Sequence, residues 1–161
     1  MNTVAYPITI FYDASCPLCT REVMLLKKYD AREQINLIDC SPTEFTGESG
    51  YTRDSMMKLI HARDAAGQWM IGAPVFAAAY SVTGFAAIAK MWGAGALQPV
   101  WRVVYPWIAN NRNVLSKLGA VSAITWVLHG LHACAAKRAA AQALKNSKAC
   151  AEGRCELPPR K

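Results

Sequence analysis

Two cysteines with two residues between them, Cys16 and Cys19, are the part of the chain whose residue types and spacing most directly suggest chemistry. A separation of three positions is about one turn of an α-helix, so both sulfur atoms can lie on one face of a helix within reach of a disulfide bond. Such a dithiol can exchange electrons with another disulfide, or it can supply two of the ligands of a zinc ion. The elements around the pair decide between these chemistries.

The pair is predicted to lie where a strand ends and a helix begins. Ile8–Tyr12 is a short apolar run, and from Pro17 the apolar residues recur at helical spacing. Proline suits the first position of a helix, because its missing N–H would have no partner there. Cys16 is therefore expected at the N-cap and Cys19 at the third helical position. A thiolate on Cys16 would accept the free N–H groups of the first turn and be stabilised by the positive end of the helix dipole.

This placement favours redox chemistry with two distinct roles. The thiolate form of cysteine is the nucleophile, so Cys16, activated and accessible, is predicted to attack a substrate disulfide. Cys19, deeper in the helix and less exposed, is predicted to resolve the resulting mixed disulfide by attacking Cys16.

Two alternatives to redox catalysis remain open for the pair: half of a zinc site, or idle thiols. The other zinc ligands would come from one of two later pairs, Cys150 with Cys155 or His129 with His132. Zinc-binding pairs of this spacing usually lie in tight turns with little apolar helix behind them, so the strand-to-helix position favours the redox interpretation, and no metal is assigned.

The elements that position the pair predict an α/β fold. The predicted strands are Ile8–Tyr12, Gln34–Asp39, Lys58–Arg63 and Gln68–Ile71. The first two are expected to pair in parallel through a right-handed crossover, and the last two to form an antiparallel hairpin. Helices are predicted from Pro17, over Arg53–Met57, from residue 73 to about Lys90, over Leu97–Asn110 and over Val114–Leu118, and the polar stretch Ser41–Tyr51 is predicted to be a loop. This order predicts a thioredoxin-like small mixed β-sheet flanked by helices, with extra C-terminal helices.

The residues around the pair also resemble a known family. The run Phe11-Tyr12-Asp13-Ala14-Ser15-Cys16-Pro17-Leu18-Cys19, followed by Arg21-Glu22-Val23, is similar to the signature of the DCC family of thiol-disulfide oxidoreductases, named for its Asp-x-x-Cys-x-x-Cys motif. Softer similarities continue to Asn111-Arg112, over about residues 8–118. The resemblance implies a thioredoxin-like fold and a dithiol–disulfide activity, and it specifies no substrate.

Asp13 completes that motif, and two roles are open to it. Its side chain can hold the turn before the helix by accepting hydrogen bonds from backbone N–H groups, which is common for Asp in turns. Alternatively, a partly buried carboxylate near the sulfur atoms can take the proton from Cys19 as it attacks. The turn role is favoured, and Asp13 stands with Cys16 and Cys19 as a candidate catalytic residue.

One departure from thioredoxins concerns substrate docking. In thioredoxins a cis-proline precedes the third core strand and faces the active disulfide. The residues before Lys58 are Asp-Ser-Met-Met, without a proline. Substrate docking is therefore expected to differ from that of thioredoxin, and general reduction of protein disulfides is not expected.

The other four cysteines are assigned lesser roles. Cys40 ends the second predicted strand, where it can approach Cys16 as a third thiol because the ends of parallel strands share one sheet edge. Burial as a small apolar side chain is the favoured interpretation. Cys134, on an apolar helical segment, is predicted to pack. Cys150 and Cys155 lie in a polar tail and are predicted to be free thiols, with a redox or weak metal role as the alternative.

The remaining histidine and aromatic residues give no sign of a cofactor. His61 is predicted to be a half-exposed strand residue. The tryptophans on helical segments are predicted to form core or groove wall: Trp92, Trp101, Trp107 and Trp126. The sequence has no Gly-rich phosphate loop or dinucleotide fingerprint, so no cofactor is predicted. Electrons are expected from a thioredoxin-like or glutathione donor, and the substrate is expected to be a protein or small-molecule disulfide.

Composition narrows the function classes further. The chain has 161 residues, of which 53% are hydrophobic and 18% charged, so a domain with a sizeable core is expected. Its net charge of +7 is uneven, because residues 1–136 carry +2 and residues 137–161 carry +5. That basic tail has no aromatic residue, so nucleic-acid binding is not predicted. The N-terminus lacks the basic region of a secretory signal, and a cytoplasmic location is expected.

Three segments are predicted along the chain: a thioredoxin-like domain over 1–118, an apolar or amphipathic helical extension over 119–145, and a flexible basic tail over 146–161. Residues 118–136 contain no Lys, Arg, Asp or Glu, and their length allows a membrane-spanning helix. Two histidines and several small residues favour a core-docked or amphipathic helix instead. A membrane-tethered thiol module without turnover is thus the alternative to an enzyme.

Overall fold

The computed structural model of the chain describes residues 3–117, together with Gly130, Cys134 and Ala141. The elements below lie in the first of two compact units, Met1–Ala123. The strands are β1 Ile8–Tyr12, β2 Ile35–Asp39, β3 Gly47–Glu48, β4 Tyr51–Thr52, β5 His61–Arg63 and β6 Trp69–Ile71. The helices are α1 Pro17–Lys28, α2 Arg53–Lys58, α3 Ala73–Val82, α4 Ala86–Gly93 and α5 Gln98–Lys117, with a 3-10 turn at Gly95–Leu97.

Four strands form the main sheet in the order β2-β1-β5-β6. β1 and β2 are parallel, with Ile8 opposite Ile35, and β5 is antiparallel to both β1 and β6. β1 is central in the sheet, and its residues Ile8, Ile10 and Phe11 are fully buried, as expected for a strand covered on both faces. The predicted parallel opening, antiparallel hairpin and thioredoxin-like mixed α/β fold are confirmed.

The helices beside the sheet supply most of the remaining core. α1 buries Val23, Leu25 and Leu26, and its opposite side carries exposed residues, so it has the amphipathic pattern of a helix with one face on a core. α3 is rich in alanine and buries residues from Ala73 to Tyr80. A separate cluster joins Phe11 to two residues outside β1, Cys40 and Met56.

The region between β2 and β5 differs from the prediction in two respects. The segment predicted as a loop contains a small antiparallel hairpin, β3–β4, with Gly47 opposite Thr52. The predicted strand Lys58–Arg63 begins only at His61, because α2 extends to Lys58 and the Leu59 N–H bonds to the Ser55 carbonyl. Side-chain alternation alone does not distinguish the end of a short helix from the start of a strand.

The later helices differ from the prediction as well. The predicted helix from residue 73 to about Lys90 is divided into α3 and α4, because Gly84 adopts a left-handed φ of 82° and ends the first helix. Leu97–Asn110 and Val114–Leu118, predicted as two helices, belong to one continuous helix, α5, as far as Lys117. Pro106 lies inside α5.

The C-terminal predictions fall mostly outside the described residues. Of the apolar segment 118–136, only Gly130 and Cys134 are described, so the predicted segment boundaries stay predictions. Cys134 is exposed, and the prediction that it packs is wrong. Within the described parts of the chain, no helix has the length and apolar character needed to cross a membrane.

Candidate active site

Cys16 and Cys19 occupy the predicted positions at the start of α1. Cys16 is the N-cap residue, with φ −95° and ψ 114°, and Pro17 follows in the first turn. The Cys16 Sγ accepts a hydrogen bond from the Cys19 backbone N–H at 3.5 Å. The turn before the helix is closed by the Cys16 N–H, which donates to the Asp13 carbonyl at 3.2 Å. The sulfur of Cys16 thus does what the oxygen of a Ser or Asp does at other N-caps.

The two thiols have opposite tendencies to ionise. The pKa of Cys16 is lowered to about 6, chiefly by the side-chain hydrogen bond from Cys19, with smaller contributions from the Cys19 backbone N–H and the charge of Arg112 that outweigh the cost of burial. The same hydrogen bond, together with burial, raises the pKa of Cys19 well above its usual range. At neutral pH the pair therefore consists of a thiolate at Cys16 and a thiol at Cys19.

The exposure of the two residues is the reverse of the prediction. Cys16 is 2% exposed, whereas Cys19 is half-buried. The expectation that the nucleophile would be the more exposed residue is wrong in this structure. The Cys16 sulfur that accepts the hydrogen bond from the Cys19 N–H is thus almost out of contact with solvent.

Asp13 is buried, and it holds the turn before α1. Its Oδ1 accepts hydrogen bonds from the Ser15 backbone N–H at 2.9 Å and from the Ser15 hydroxyl at 2.5 Å. The predicted turn role is therefore confirmed. The negative charge of this carboxylate also contributes to the raised pKa of Cys19.

Asp13 has a partner that the sequence did not suggest. The Arg112 Nη2 of α5 lies 2.8 Å from the Asp13 Oδ2, and the Arg112 Nη1 donates to the Met57 carbonyl at 2.8 Å. The guanidinium lowers the pKa of both Cys16 and Cys19. Arg112 lies within the part of the sequence that resembles the DCC family, but that resemblance assigned no role to it.

Tyr105 is a second residue of α5 beside the site. It precedes Arg112 by seven positions, which is about two helical turns, so the two residues share one face of the helix. Its hydroxyl accepts a hydrogen bond from the Ile60 N–H at 3.1 Å. Burial raises the pKa of Tyr105, and the nearby thiols raise it further. The residue that directly precedes β5 is Ile60, not a proline, and its N–H is already bonded within this chain.

Gly72 makes room for this tyrosine. Its φ is 74°, a left-handed conformation that favours glycine, and a Cβ at this position would lie 3.1 Å from the Tyr105 ring. The turn between β6 and α3 and the docking of α5 therefore depend on the same residue.

Cys40 and His61, two further residues considered in the sequence analysis, are both buried. Cys40 is fully buried with Phe11 and Met56, which supports the packing interpretation. Burial and the charge of Asp39 raise the pKa of Cys40 to about 11, so it remains a thiol. His61 is 2% exposed, which corrects the prediction of a half-exposed residue. Its Nδ1 lies 2.9 Å from the Leu59 carbonyl, and burial lowers its pKa.

The tryptophans only partly follow the prediction. Trp92 stacks on Phe76, and its ring centroid lies 4.3 Å from that of Trp101, so these two belong to the packing between helices. Trp107 is 59% exposed, so it is not a core residue. Trp126 lies outside the described residues.

The zinc alternative is not tested by the described residues. Within them, no group of three or more His, Cys, Asp and Glu side chains is placed to hold a metal ion. The later residues that would complete a zinc site with Cys16 and Cys19 all lie outside that part: His129, His132, Cys150 and Cys155.

Comparison with known proteins gives one family and one relative. A model of the DCC1-like thiol-disulfide oxidoreductase family matches residues 10–118, well over half of the chain. An uncharacterized chloroplastic protein of Arabidopsis thaliana is 32% identical over 82 residues, which cover 49% of this chain and 38% of that protein. The matched part thus spans less than two fifths of the relative's length. No solved structure matches the chain significantly.

Proposed function

The chain belongs to the DCC1-like thiol-disulfide oxidoreductase family, and we propose that it is an enzyme that transfers electrons between its Cys16–Cys19 dithiol and a substrate disulfide. The observation that carries the proposal is the position of Cys16 at the N-cap of α1, where its Sγ accepts a hydrogen bond from the Cys19 N–H. A hydrogen bond and a helix N-terminus lower the pKa of Cys16, while the pKa of Cys19 is raised. One sulfur is therefore prepared to attack, and the other keeps its proton until it is needed.

The first step is attack on the substrate. The Cys16 thiolate forms a bond to one sulfur of the disulfide R–S–S–R, and the bond between the two substrate sulfurs breaks. The leaving thiolate takes a proton from solvent and departs as R–SH. The enzyme is left with a mixed disulfide between Cys16 and the remaining R–S group.

The second step is resolution by Cys19. Cys19 loses its proton, and its thiolate attacks the Cys16 sulfur, which releases the second R–S⁻ group as R–SH. The dithiol is thereby oxidised by two electrons, and the substrate disulfide is reduced by two. Once Cys16 is bound to substrate, its thiolate no longer accepts the hydrogen bond of Cys19, so the main cause of the raised pKa of Cys19 is removed.

Asp13 and Arg112 act on this cycle through charge. The Arg112 guanidinium stabilises negative charge on each sulfur in turn. Asp13 holds the turn, and we assign to its carboxylate the role of accepting the Cys19 proton in the second step, because its charge favours the protonated form of Cys19 beforehand. The pair lies 2.8 Å apart, so each ion compensates the buried charge of the other.

The regeneration of the dithiol needs a second thiol. We assign this role to a thioredoxin-like or glutathione donor, because no cofactor-binding motif is present in the sequence. A cytoplasmic location stays a prediction; the Arabidopsis relative is described as a chloroplastic protein.

Alanine variants test the assignment. Cys16→Ala should abolish exchange with a small disulfide, and Cys19→Ala should stop turnover after a single attack. Cys134→Ala is the matched control, because Cys134 is an exposed cysteine outside α1, and it should leave the rate unchanged. Undiminished exchange in Cys16→Ala would overturn the assignment of the nucleophile.

A further inference from the structure

A cleft of about 310 Å³ opens between α2 and α5. Its lining residues are Asp54, Met57, Lys58, Ala109, Asn110 and Arg112. Arg112 is shared with the dithiol site, since the same guanidinium pairs with Asp13 and lowers the pKa of both thiols. The cleft and the dithiol site therefore meet at one guanidinium.

The cleft presents charges of both signs. Lys58 and Asp54 lie one helical turn apart on α2, and both are exposed. Neither forms an ion pair with another residue of the described chain. On the α5 side, the Asn110 amide offers a donor and an acceptor, and Arg112 has more N–H groups than the two it uses for Asp13 and Met57. Lys58 and Asp54 therefore match a ligand that carries one carboxylate and one ammonium group.

We propose that this cleft recognises the amino-acid head group of a small disulfide substrate, with the substrate carboxylate at Lys58 and its ammonium at Asp54. The inference rests on the proposed function, because it names the substrate class of that exchange reaction. The reaction is the same balanced one: the disulfide accepts two electrons and leaves as two thiols, while the Cys16–Cys19 dithiol is oxidised.

Two features of the site favour a small substrate over a protein. Cys16 is only 2% exposed, so an extended protein surface has little access to its sulfur. The Ile60 N–H beside the dithiol is occupied by the Tyr105 hydroxyl at 3.1 Å, so it is not free to bind the backbone of a protein substrate. Recognition must then come from other groups near the dithiol, and the cleft provides them.

Four small disulfides test the roles of Lys58 and Asp54 independently. Cystine carries both an ammonium and a carboxylate on each half, cystamine carries only the ammonium, and 3,3′-dithiodipropionate carries only the carboxylate. Bis(2-hydroxyethyl) disulfide carries neither charge. The measurement is the single-turnover rate at which each oxidises the pre-reduced full chain. Each variant rate is divided by the wild-type rate for the same disulfide, which cancels differences in intrinsic reactivity.

The expected pattern links each variant to one charge. Lys58→Gln should slow oxidation by cystine and by dithiodipropionate about two- to fivefold and leave cystamine unaffected. Asp54→Asn should slow cystine and cystamine by a similar factor and leave dithiodipropionate unaffected. The neutral disulfide should react at the wild-type rate with both variants.

Lys90→Gln is the matched control, because Lys90 is an exposed lysine in the last turn of α4, as Lys58 is in the last turn of α2. It should change none of the four rates. Equal slowing of dithiodipropionate by Lys58→Gln and Lys90→Gln would show an effect of overall charge and overturn the cleft assignment. Equal slowing of all four disulfides by Lys58→Gln would overturn it as well.

A binding experiment without redox chemistry separates this inference from the proposed function. S-methyl-L-cysteine has the head group but no exchangeable sulfur. Added to the ¹⁵N-labelled Cys16→Ser chain, it should shift the amide resonances of residues 54–58 and 109–112, and Lys58→Gln should weaken the response. Binding without any exchange activity would refute the proposed function and support the cleft. Exchange with unchanged amide resonances would refute the cleft alone.

Discussion

Replacement of Arg112 is the most informative perturbation of the dithiol. Arg112→Gln keeps a hydrogen-bond donor near Asp13 and removes the positive charge that favours the thiolates. It also leaves the buried Asp13 carboxylate without its counter-ion, which adds an uncompensated negative charge beside the sulfurs. Both changes disfavour a thiolate at Cys16, so its pKa should rise. The main cause of its low pKa, the hydrogen bond from Cys19, remains.

The size of the effect follows from the charges involved. An opposite charge a few ångströms away shifts a pKa by about one unit or more, and we expect about one unit here. A rise from about 6 to about 7 lowers the thiolate fraction at pH 6 about fivefold and hardly changes it at pH 8. Because a more basic thiolate is intrinsically the better nucleophile, the plateau rate at high pH should rise up to about threefold. The two pH profiles should therefore cross.

The assay is the rate of alkylation of Cys16 by iodoacetamide between pH 4 and 9, resolved by residue with mass spectrometry. Arg112→Lys keeps the charge and should shift the midpoint less than Arg112→Gln does. Arg102→Gln is the control, because Arg102 is an exposed arginine on the same helix. A midpoint that is unchanged or lower in Arg112→Gln would refute the electrostatic role of Arg112. A purely structural loss would lower the rate at all pH values without moving the midpoint.

Three further predictions concern stability and reactivity. Gly72→Ala should lower the free energy of unfolding, measured by urea denaturation, by about 1–3 kcal/mol, because a Cβ at this position meets the Tyr105 ring. Gly67 also has a positive φ but lies in open space, so Gly67→Ala should lower the free energy of unfolding by only about 1 kcal/mol. Equal losses in the two variants would contradict the role of the contact with Tyr105. The pKa of Cys16 in the folded state lies below its ordinary value of 9.0. The reduced protein should therefore gain stability relative to Cys16→Ser as the pH rises from about 6 to 9, by at most about 1.4 kcal/mol per pH unit. A difference in unfolding free energy that does not change with pH would contradict the lowered pKa. Cys40, fully buried and with a raised pKa, should be alkylated at pH 7 at least about a hundredfold more slowly than Cys16, and comparable rates would contradict its assignment to the core.

The local geometry of the dithiol was predictable because local rules determine it. Pro17 fixes where α1 begins, and the spacing to Cys19 then places Cys16 at the N-cap. The parallel pairing of β1 and β2 follows from the strand–helix–strand order in the same way. Each of these inferences uses residues close together in sequence, and the structure confirms them.

The rest of the site could not be predicted, because it depends on contacts between residues far apart in sequence. Arg112 lies almost a hundred positions after Asp13, and no helical periodicity specifies which face of α5 meets the turn before α1. The burial of Cys16 and His61 has the same origin. The sequence pattern of a strand shows which side chains share a face of the sheet, but it does not show which elements cover each face.

The central claim is that Cys16 attacks the substrate and Cys19 resolves the mixed disulfide. Its most direct test is the location of the mixed disulfide that the Cys19→Ala variant traps after reaction with one equivalent of cystine, determined by peptide mapping without reduction. We predict that the first cysteine adduct forms on Cys16, ahead of any on an exposed thiol such as Cys134, and that Cys16→Ala forms no adduct on Cys19 in the same time. An adduct on Cys40 or Cys134 in place of Cys16, or an adduct on Cys19 in the Cys16→Ala variant formed at the same rate, would contradict it.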